Sequence, residues 1–353
     1  MKGIQRIALG MSGGVDSATS AALLLRAGYQ VLGVTCLFLP TEEALGSARD
    51  AEAVCRLLGI PHITRDCTEE FSAHVIDPFV AHYAAGLTPS PCVLCNKHCK
   101  IPALIEVAEK EGCHAIATGH YARIARLQAS DRFVVKYALD ESKDQSYMLS
   151  MLSQQQLSRL VLPLGAITKA EVRVIADDLN LPVAKKPESQ DICFVQGDYT
   201  DFLNERGASS VPGALVSSSG VVLGEHRGLV HYTVGQRKGI GLAAPEPYYV
   251  LEKRPDSNEL VVGFQREAYI DSVVVTHVNW QAFEGLEGEL ECMCKLRYRS
   301  RAIACVIESI GSESVHVRFR SAQPTTAPGQ FAVFYQGSTV VGGGEIESVG
   351  QSL

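Results

Sequence analysis

Two groups of residues in this sequence carry reactive or binding chemistry. The first is Ser12-Gly13-Gly14-Val15-Asp16-Ser17, which follows the apolar run Ile7-Ala8-Leu9-Gly10-Met11. An apolar run, a Ser-Gly-Gly turn and then an apolar-periodic segment (Ala21, Leu24, Leu25) predict a buried strand, a tight loop and a helix N-terminus. Backbone N–H groups at such a loop point outward, the helix dipole adds partial positive charge, and glycine lets the backbone come close to an anion. The chemistry implied is phosphate binding. A Walker A loop is excluded, because that pattern requires a lysine and this segment has none. The second group is Cys92-Val-Leu-Cys95 together with Cys193, drawn from 11 cysteines. Thiolates are the reactive form of cysteine, favoured beside lysine or at a helix N-terminus. Cys95 precedes Lys97 and a predicted helix, which suits an activated thiol. Cys55, Cys67, Cys113, Cys292, Cys294 and Cys305 sit singly or within apolar patterns and read as small core residues. His98 and Cys99 read as helix residues rather than ligands.

The elements that must position these groups follow from the periodicity. Arg6–Gly10, Val31–Phe38 and Ala115–Thr118 read as buried parallel strands. Ser17–Ala27, Ala48–Leu58 and Ile101–Glu111 have helical spacing, and Thr168-x-x-Glu171 is a capping box opening a helix to about Leu179. This alternation implies an α/β fold with a doubly wound parallel sheet that binds ligands at the carboxyl ends of its strands. Ala122–Leu127 and Phe133–Ala138 read as a hairpin. After Arg206 helical spacing gives way to short strands. The division expected is residues 1–206 as an α/β catalytic domain, 207–268 as a small β-rich domain, and 269–353 as a β-barrel of about six strands. A chain of 353 residues accommodates this. A net charge of −7 argues against a generally basic nucleic-acid binder while leaving room for local patches. No apolar run approaches the roughly 20 residues of a membrane span. The N-terminus runs straight into the first strand, so no signal peptide is expected, and with it no disulfide framework.

Further strings follow in order: Thr88-Pro-Ser-Pro-Cys92-Val-Leu-Cys95-Asn96-Lys97, Ala117-Thr-Gly119-His120-Tyr121, Lys143-Asp144-Gln145-Ser146-Tyr147, Ser189-Gln-Asp-Ile-Cys193-Phe194, Thr233-Val-Gly-Gln-Arg-Lys-Gly239 and Pro328-Gly-Gln330. The loop alone resembles that of the ATP pyrophosphatases, the adenine nucleotide alpha hydrolase-like group that cleaves ATP between the α and β phosphates. With the other strings, over essentially the whole chain, the sequence resembles the tRNA-specific 2-thiouridylase family. That resemblance implies ATP-dependent 2-thiolation of the wobble uridine of tRNA, a tRNA-uridine 2-sulfurtransferase activity releasing AMP and pyrophosphate. It implies that Gly10, Met11, Ser12, Gly13, Gly14, Val15, Asp16 and Ser17, with Cys36 and Gly119, hold ATP and its Mg²⁺. His120, Lys143, Asp144, Gln145, Arg297, Tyr298 and Gln330 match positions that contact tRNA. The resemblance also implies that Cys193 carries a persulfide supplied by a cysteine desulfurase or sulfur-relay partner, and that Cys95 attacks it or helps release its sulfur. The expected protein is a cytoplasmic monomer acting on the anticodon stem-loop, with no membrane association.

One position departs from the family's better-known form, which has Asp-x-x-Cys where this chain has Cys92-x-x-Cys95. Three readings of Cys92 stand side by side. It is a resolving thiol for Cys95, an inert replacement, or one of three ligands, with Cys95 and Cys193, to a 4Fe–4S cluster carrying sulfide on an open iron. Two other functions share the loop: an amide-forming ligase, which needs no cysteine trio, and a non-catalytic tRNA-binding relative, which needs no intact loop. Two late segments alternate in charge. Lys295, Arg297, Arg299 and Arg301 are expected to share one strand face, and His316, Arg318 and Arg320 another, as a phosphate-gripping surface. Lys185-Lys186 and Arg237-Lys238 are expected to extend it.

Overall fold

The computed structural model describes residues 5–187, 192–195, 197–208 and 210–351. From the N-terminus, β1 (Arg6–Gly10), α1 (Val15–Arg26), β2 (Gln30–Leu37), α2 (Glu42–Leu57) and β3 (His62–Asp66) alternate. One helical stretch then runs through α3 (Thr68–Phe71), a wide π-turn at Ser72–Ile76 and α4 (Asp77–Ala84). A second runs through α5 (Pro91–Cys95), a π-turn at Asn96–Lys100 and α6 (Ile101–Lys110). β4 (Ala115–Ala117), the hairpin of β5 (Arg123–Arg126) and β6 (Phe133–Lys136), α7 (Gln154–Arg159), β7 (Leu160–Val161), α8 (Lys169–Asp178) and α9 (Tyr199–Glu205) follow.

The first sheet has order β3-β2-β1-β4-β7 and is parallel throughout. Side chains alternate between its faces. Ala8, Leu32, Val34 and Ile116 pack on Ile101, Leu104 and Val107 of α6. Ile7, Leu9 and Val31 pack on Ala18, Ala21 and Leu24 of α1 and on Val172 and Ala176 of α8. Helices on both faces explain why these strands are apolar without interruption. The chain winds outward through β2 and β3, then returns to place β4 on the other side of β1. The crevice at this reversal lies between the exits of β1 and β4.

A four-stranded sheet of order β10-β11-β8-β9 is built from β8 (Gly213–Ser217), β9 (Val222–His226), β10 (Tyr249–Arg254) and β11 (Glu259–Gly263). The C-terminal strands are β12 (Tyr269–Trp280), β13 (Glu289–Lys295), β14 (Ile303–Ser309), β15 (Val315–Pro324), β16 (Phe331–Gln336) and β17 (Thr339–Gln351). They run β12-β15-β14-β13-β16-β17, and pairing of β12 with β17 closes the barrel. The fold class is therefore the one expected: a parallel α/β sheet, a small β unit and a C-terminal barrel. The β5–β6 hairpin also joins the barrel's sheet, through Lys136 opposite Thr339.

Three local readings change. The helix expected at Ala48 starts at Glu42, because Thr41 caps it by accepting the Ala44 N–H. The helix expected at Ile101 continues back through the π-turn to Pro91, so Cys92 and Cys95 lie in its first turns. β13 ends at Lys295, and Ser300 bonds both the N–H and the carbonyl of Arg297, so Arg297, Arg299 and Arg301 occupy a turn rather than a strand face.

The barrel is tied to the α/β unit by buried polar bonds. The Gln281 carboxamide, fully buried, donates to Leu149 O and Ser150 O at 3.0 Å each and accepts the Val135 N–H at 2.9 Å. Asn279 donates to Ser150 O and Leu152 O. Gln281→Ala strands these backbone groups away from water, and its expected cost is about 3 kcal/mol, measured by urea denaturation. Wild-type stability in the variant would refute this.

Candidate active site

The loop after β1 is shaped by its small residues. Gly13 has φ +68°, and a Cβ there would lie 2.2 Å from Ser47 O. Gly14 is the N-cap of α1. Ser17 Oγ accepts the Ser12 N–H at 3.2 Å and donates to Gly14 O at 3.0 Å, which folds the loop over the helix start. Gly119, just past β4, lies so close that a Cβ would sit 3.1 Å from Ser17 N and from Asp16 C. Of the run Gly10, Met11, Ser12, Gly13, Gly14, Val15, Asp16 and Ser17, the last two thus meet Gly119 at the crevice. Cys36 lies near the end of β2 and is half-buried. A hydrogen bond with Cys67, together with burial, pushes its thiol well up.

Asp16 carries the loop's charged contacts. Its Oδ1 accepts from Tyr121 Oη at 2.7 Å and from Lys169 Nζ at 2.6 Å. Lys169 is the first residue of α8, capped by the Thr168–Glu171 box. Lys186 Nζ reaches Gly13 O at 3.1 Å and Asp50 Oδ2 at 2.6 Å, so it belongs to the loop rather than to an RNA track. Tyr121 lies in a string already singled out, and Lys169 in the recognised capping box. Neither has a sequence spacing that predicts an approach to Asp16.

The cysteines form a second cluster. Cys92 and Cys193 are exposed, and Cys95 is buried. Their charges interact: Cys193, Cys99 and Cys92 all act on Cys95, and Cys92 acts on Cys193. Desolvation pushes the Cys95 thiol up to about 12 and also raises Cys92 and Cys193. The opposing cation in each case is Lys100, in the π-turn one helical turn beyond Cys95, and not Lys97. The expectation of an activated Cys95 is therefore not met: burial outweighs the nearby ammonium. Ser189, Gln190 and Asp191 lie outside the described residues. Among the described residues no three His, Cys, Asp or Glu side chains are gathered closely enough to hold a metal ion.

The remaining expected contact residues are used inside the protein. The His120 ring bonds Thr118 Oγ1 at 2.8 Å, and burial with Lys100 nearby brings it down to about 3, so it is neutral. Lys143 ends a short 3₁₀ turn, Glu141–Lys143. Asp144 is buried, accepting from Ala138 N and Ser146 Oγ, with Lys295 Nζ at 3.6 Å. Gln145 accepts the Tyr121 N–H at 2.9 Å. Arg297 donates to Thr325 O, and Tyr298 stands 6.2 Å from the Tyr147 ring. Gln330 donates to Thr88 O at 2.8 Å and Pro89 O at 3.3 Å, pinning a barrel turn on the segment that precedes Cys92. On β15, Arg318 pairs with Glu289 and Glu308, and Arg320 with Glu291. That face is charge-balanced, contrary to the expected phosphate-gripping surface.

Exposure orders the thiols. A short iodoacetamide pulse at neutral pH should label Cys92 and Cys193 before Cys95, with Cys95 labelling rising as pH climbs toward its raised pKa. Peptide mass spectrometry showing Cys95 labelled first would overturn this placement.

Three family models match the chain in sequence: the tRNA methyl transferase HUP domain over residues 5–197, the tRNA methyl transferase PRC-barrel domain over 200–264, and the aminomethyltransferase beta-barrel domain over 270–346. The tRNA-specific 2-thiouridylase MnmA of Lachnoclostridium phytofermentans is 41% identical over 356 residues, covering 97% of this chain and 99% of the relative. That of Syntrophotalea carbinolica is 44% identical over 350 residues, covering 97% and 98%. Among solved structures, the U34-tRNA thiolase NcsA from Methanococcus maripaludis with its 4Fe–4S cluster matches with TM-score 0.36 and 18% identity over 57% of this chain and 64% of that chain. A likeness that low carries no argument about function. No described helix is long and apolar enough to cross a membrane.

Proposed function

Because the chain belongs to the tRNA-specific 2-thiouridylase family, we propose that it is an ATP-dependent tRNA-uridine 2-sulfurtransferase acting on the wobble uridine. The observation that carries this reading is the convergence of the glycine loop and Gly119 at the sheet's reversal, together with the mutual electrostatic action of Cys92, Cys95 and Cys193. ATP enters as its Mg²⁺ complex, with the phosphates on the N–H groups of Gly10–Ser17 and the nucleoside toward Cys36 and Gly119. The uridine O2 attacks the α-phosphorus. An O–P bond forms, the α–β bridge breaks, and pyrophosphate leaves with the electron pair. The loop amides and helix start are aimed at this developing charge.

Sulfur follows by a persulfide on Cys193, delivered by a cysteine desulfurase or sulfur-relay protein. Its terminal sulfur attacks C2, and AMP leaves. Cys95 then attacks Cys193 Sγ, breaking the S–S bond, so that thiouridine departs and a Cys95–Cys193 disulfide remains. Cys92, one turn from Cys95 and exposed, serves as the resolving thiol: it attacks Cys95 Sγ, Cys193 leaves as the thiolate, and the Cys92–Cys95 disulfide so formed is the one an external dithiol reduces. Removal of water from around the cluster by bound tRNA, and access of the substrate to Cys95, belong to the same step. His120, Lys143, Tyr298 and Arg297 border the tRNA on this reading, while Asp144, Gln145 and Gln330 act by holding that surface in shape. The protein works as a cytoplasmic monomer on the anticodon stem-loop, whose single-stranded bases leave their stack cheaply.

Cys193→Ser should abolish thiolation by a factor of at least about 10³, as loss of a covalent carrier does, while tRNA affinity is retained. Thiolation by this variant would overturn the role of Cys193. Iron and sulfide content after anaerobic purification decides the carrier. A colourless, iron-free and active enzyme agrees with the persulfide route, whereas about four irons per chain would assign the trio to a cluster instead.

A further inference from the structure

Three of the cysteines that read as core residues stand together inside the barrel. Cys292 and Cys294 flank exposed Met293 on β13 and are buried, and Cys305 is buried on β14. They pack with Val273, Val317 and Phe334, whereas Cys95 packs with Phe71 and Phe194 in a separate core cluster. The two strands pair with Cys292 directly opposite Cys305. Their sulfurs lie 3.5 Å apart, and Cys305 Sγ is also 3.5 Å from Cys292 O. Directly opposed residues of an antiparallel pair have Cα atoms about 4.5–5.5 Å apart, within the roughly 4.4–6.8 Å that a disulfide spans. The register therefore suits a bond between them, with the sulfurs closing to about 2.05 Å by side-chain rotation. Cys294 lies one inward position further along β13 and also hydrogen-bonds Cys305. Hydrogen bonds from Cys292 and Cys294 pull the Cys305 thiol well below its ordinary value, and the bond to Cys305, with burial, raises Cys292. A thiol so lowered is the more nucleophilic member of its pair at neutral pH. Cys292 is 9% exposed and Cys305 2%, so only a small reagent reaches them.

We propose that Cys292 and Cys305 form an oxidant-sensitive site, separate from the sulfur-transfer cysteines, at which a small hydroperoxide converts the pair into a cross-strand disulfide that closes the β13–β14 hairpin. The Cys305 thiolate attacks one peroxide oxygen. The O–O bond breaks, Cys305 becomes a sulfenic acid, and the other oxygen leaves as hydroxide, which takes up a proton to become water. The Cys292 thiol then attacks Cys305 Sγ. The S–S bond forms, the S–O bond breaks, and the hydroxyl leaves as water with the Cys292 proton. The two sulfurs give up two electrons, and the peroxide is reduced to two waters. A dithiol reverses the change by exchange. The disulfide sits at the base of the segment 296–302, where Ser300 closes the turn at Arg297. Strand separation starting from that turn would stop at the covalent link. The site uses none of Cys92, Cys95 and Cys193, and it goes beyond the thiolation reading without depending on it.

Hydrogen peroxide treatment of the full-length protein at neutral pH tests this. Remaining thiols are blocked with N-ethylmaleimide, and trypsin then cuts at Lys295, Arg297, Arg299 and Arg301, which separates Cys292 from Cys305. Mass spectrometry should find the two peptides joined through Cys292 and Cys305 and released by dithiothreitol. The link should form equally in a Cys92→Ser, Cys95→Ser, Cys193→Ser triple variant. It should persist in Cys294→Ser and be lost in Cys292→Ala. The serine variant's positive readout keeps the test valid if the alanine variant fails to fold. Amide hydrogen exchange over residues 296–302 should slow at least about tenfold on oxidation and recover on reduction, because a short covalent loop removes open conformations. Absence of the link in folded protein, a link through Cys294 in its place, or unchanged exchange in the linked protein would each overturn the proposal.

Discussion

Gly119 lies against the backbone of Asp16 and Ser17, so β1 and β4 bring their exits together only because no side chain stands between them. Much of the active site hangs on that approach. It sets the width of the crevice at the sheet's reversal, and it carries Tyr121, two residues on, to Asp16. It also aligns the segment with Gln145, whose backbone and side chain both bond Tyr121. A methyl group at residue 119 would act on all of these together, which is why a single glycine has more influence here than any one ion pair.

The barrel contributes to the site without standing in it. Pro328 O accepts the Thr88 N–H at 2.8 Å, and Gln330 bonds the next two carbonyls. The chain leading into α5 is therefore held by a turn more than two hundred residues away in sequence, as the separation |i−j|=242 of the Gln330–Thr88 bond records. Buried Gln281 and half-buried Asn279 bind the other end of the barrel to the segment around Ser150. The cysteine-bearing helix is thus seated on the sheet through Ile101 and Leu104 while the segment leading into it is held by the barrel.

The sequence made the sheet and the loop legible, because their signals are local. β1 is Arg6–Gly10 as read, and the Thr168 capping box opens α8 as read. Arg297 was misread because alternation continues formally past Lys295 while Ser300 closes a turn. Sequence displays the neighbours of Cys95, Lys97 and a helix start, which suggest an activated thiol, but not the depth of burial that raises it. Arg318 and Arg320 read as an RNA surface because their glutamate partners lie on β13 and β14, and cross-strand register is invisible before the strands are paired. Lys169 and Asp16 are separated by |i−j|=153, and no periodicity connects them.

The wide turn at Asn96–Lys100 acts as an angular setting within one helix. Each residue of an α-helix advances the chain by about 100° around its axis, and a π-turn absorbs an extra residue without breaking the helix. The turns before it carry Cys92 and Cys95, and those after it seat Ile101 and Leu104 against the sheet. A straight helix over the same residues would keep the sheet-facing residues in place and rotate Cys95 out of its cluster with Phe71, Phe79 and Phe194. One inserted residue thus lets the helix answer to two different surfaces, the packed sheet on one side and the reactive thiols on the other.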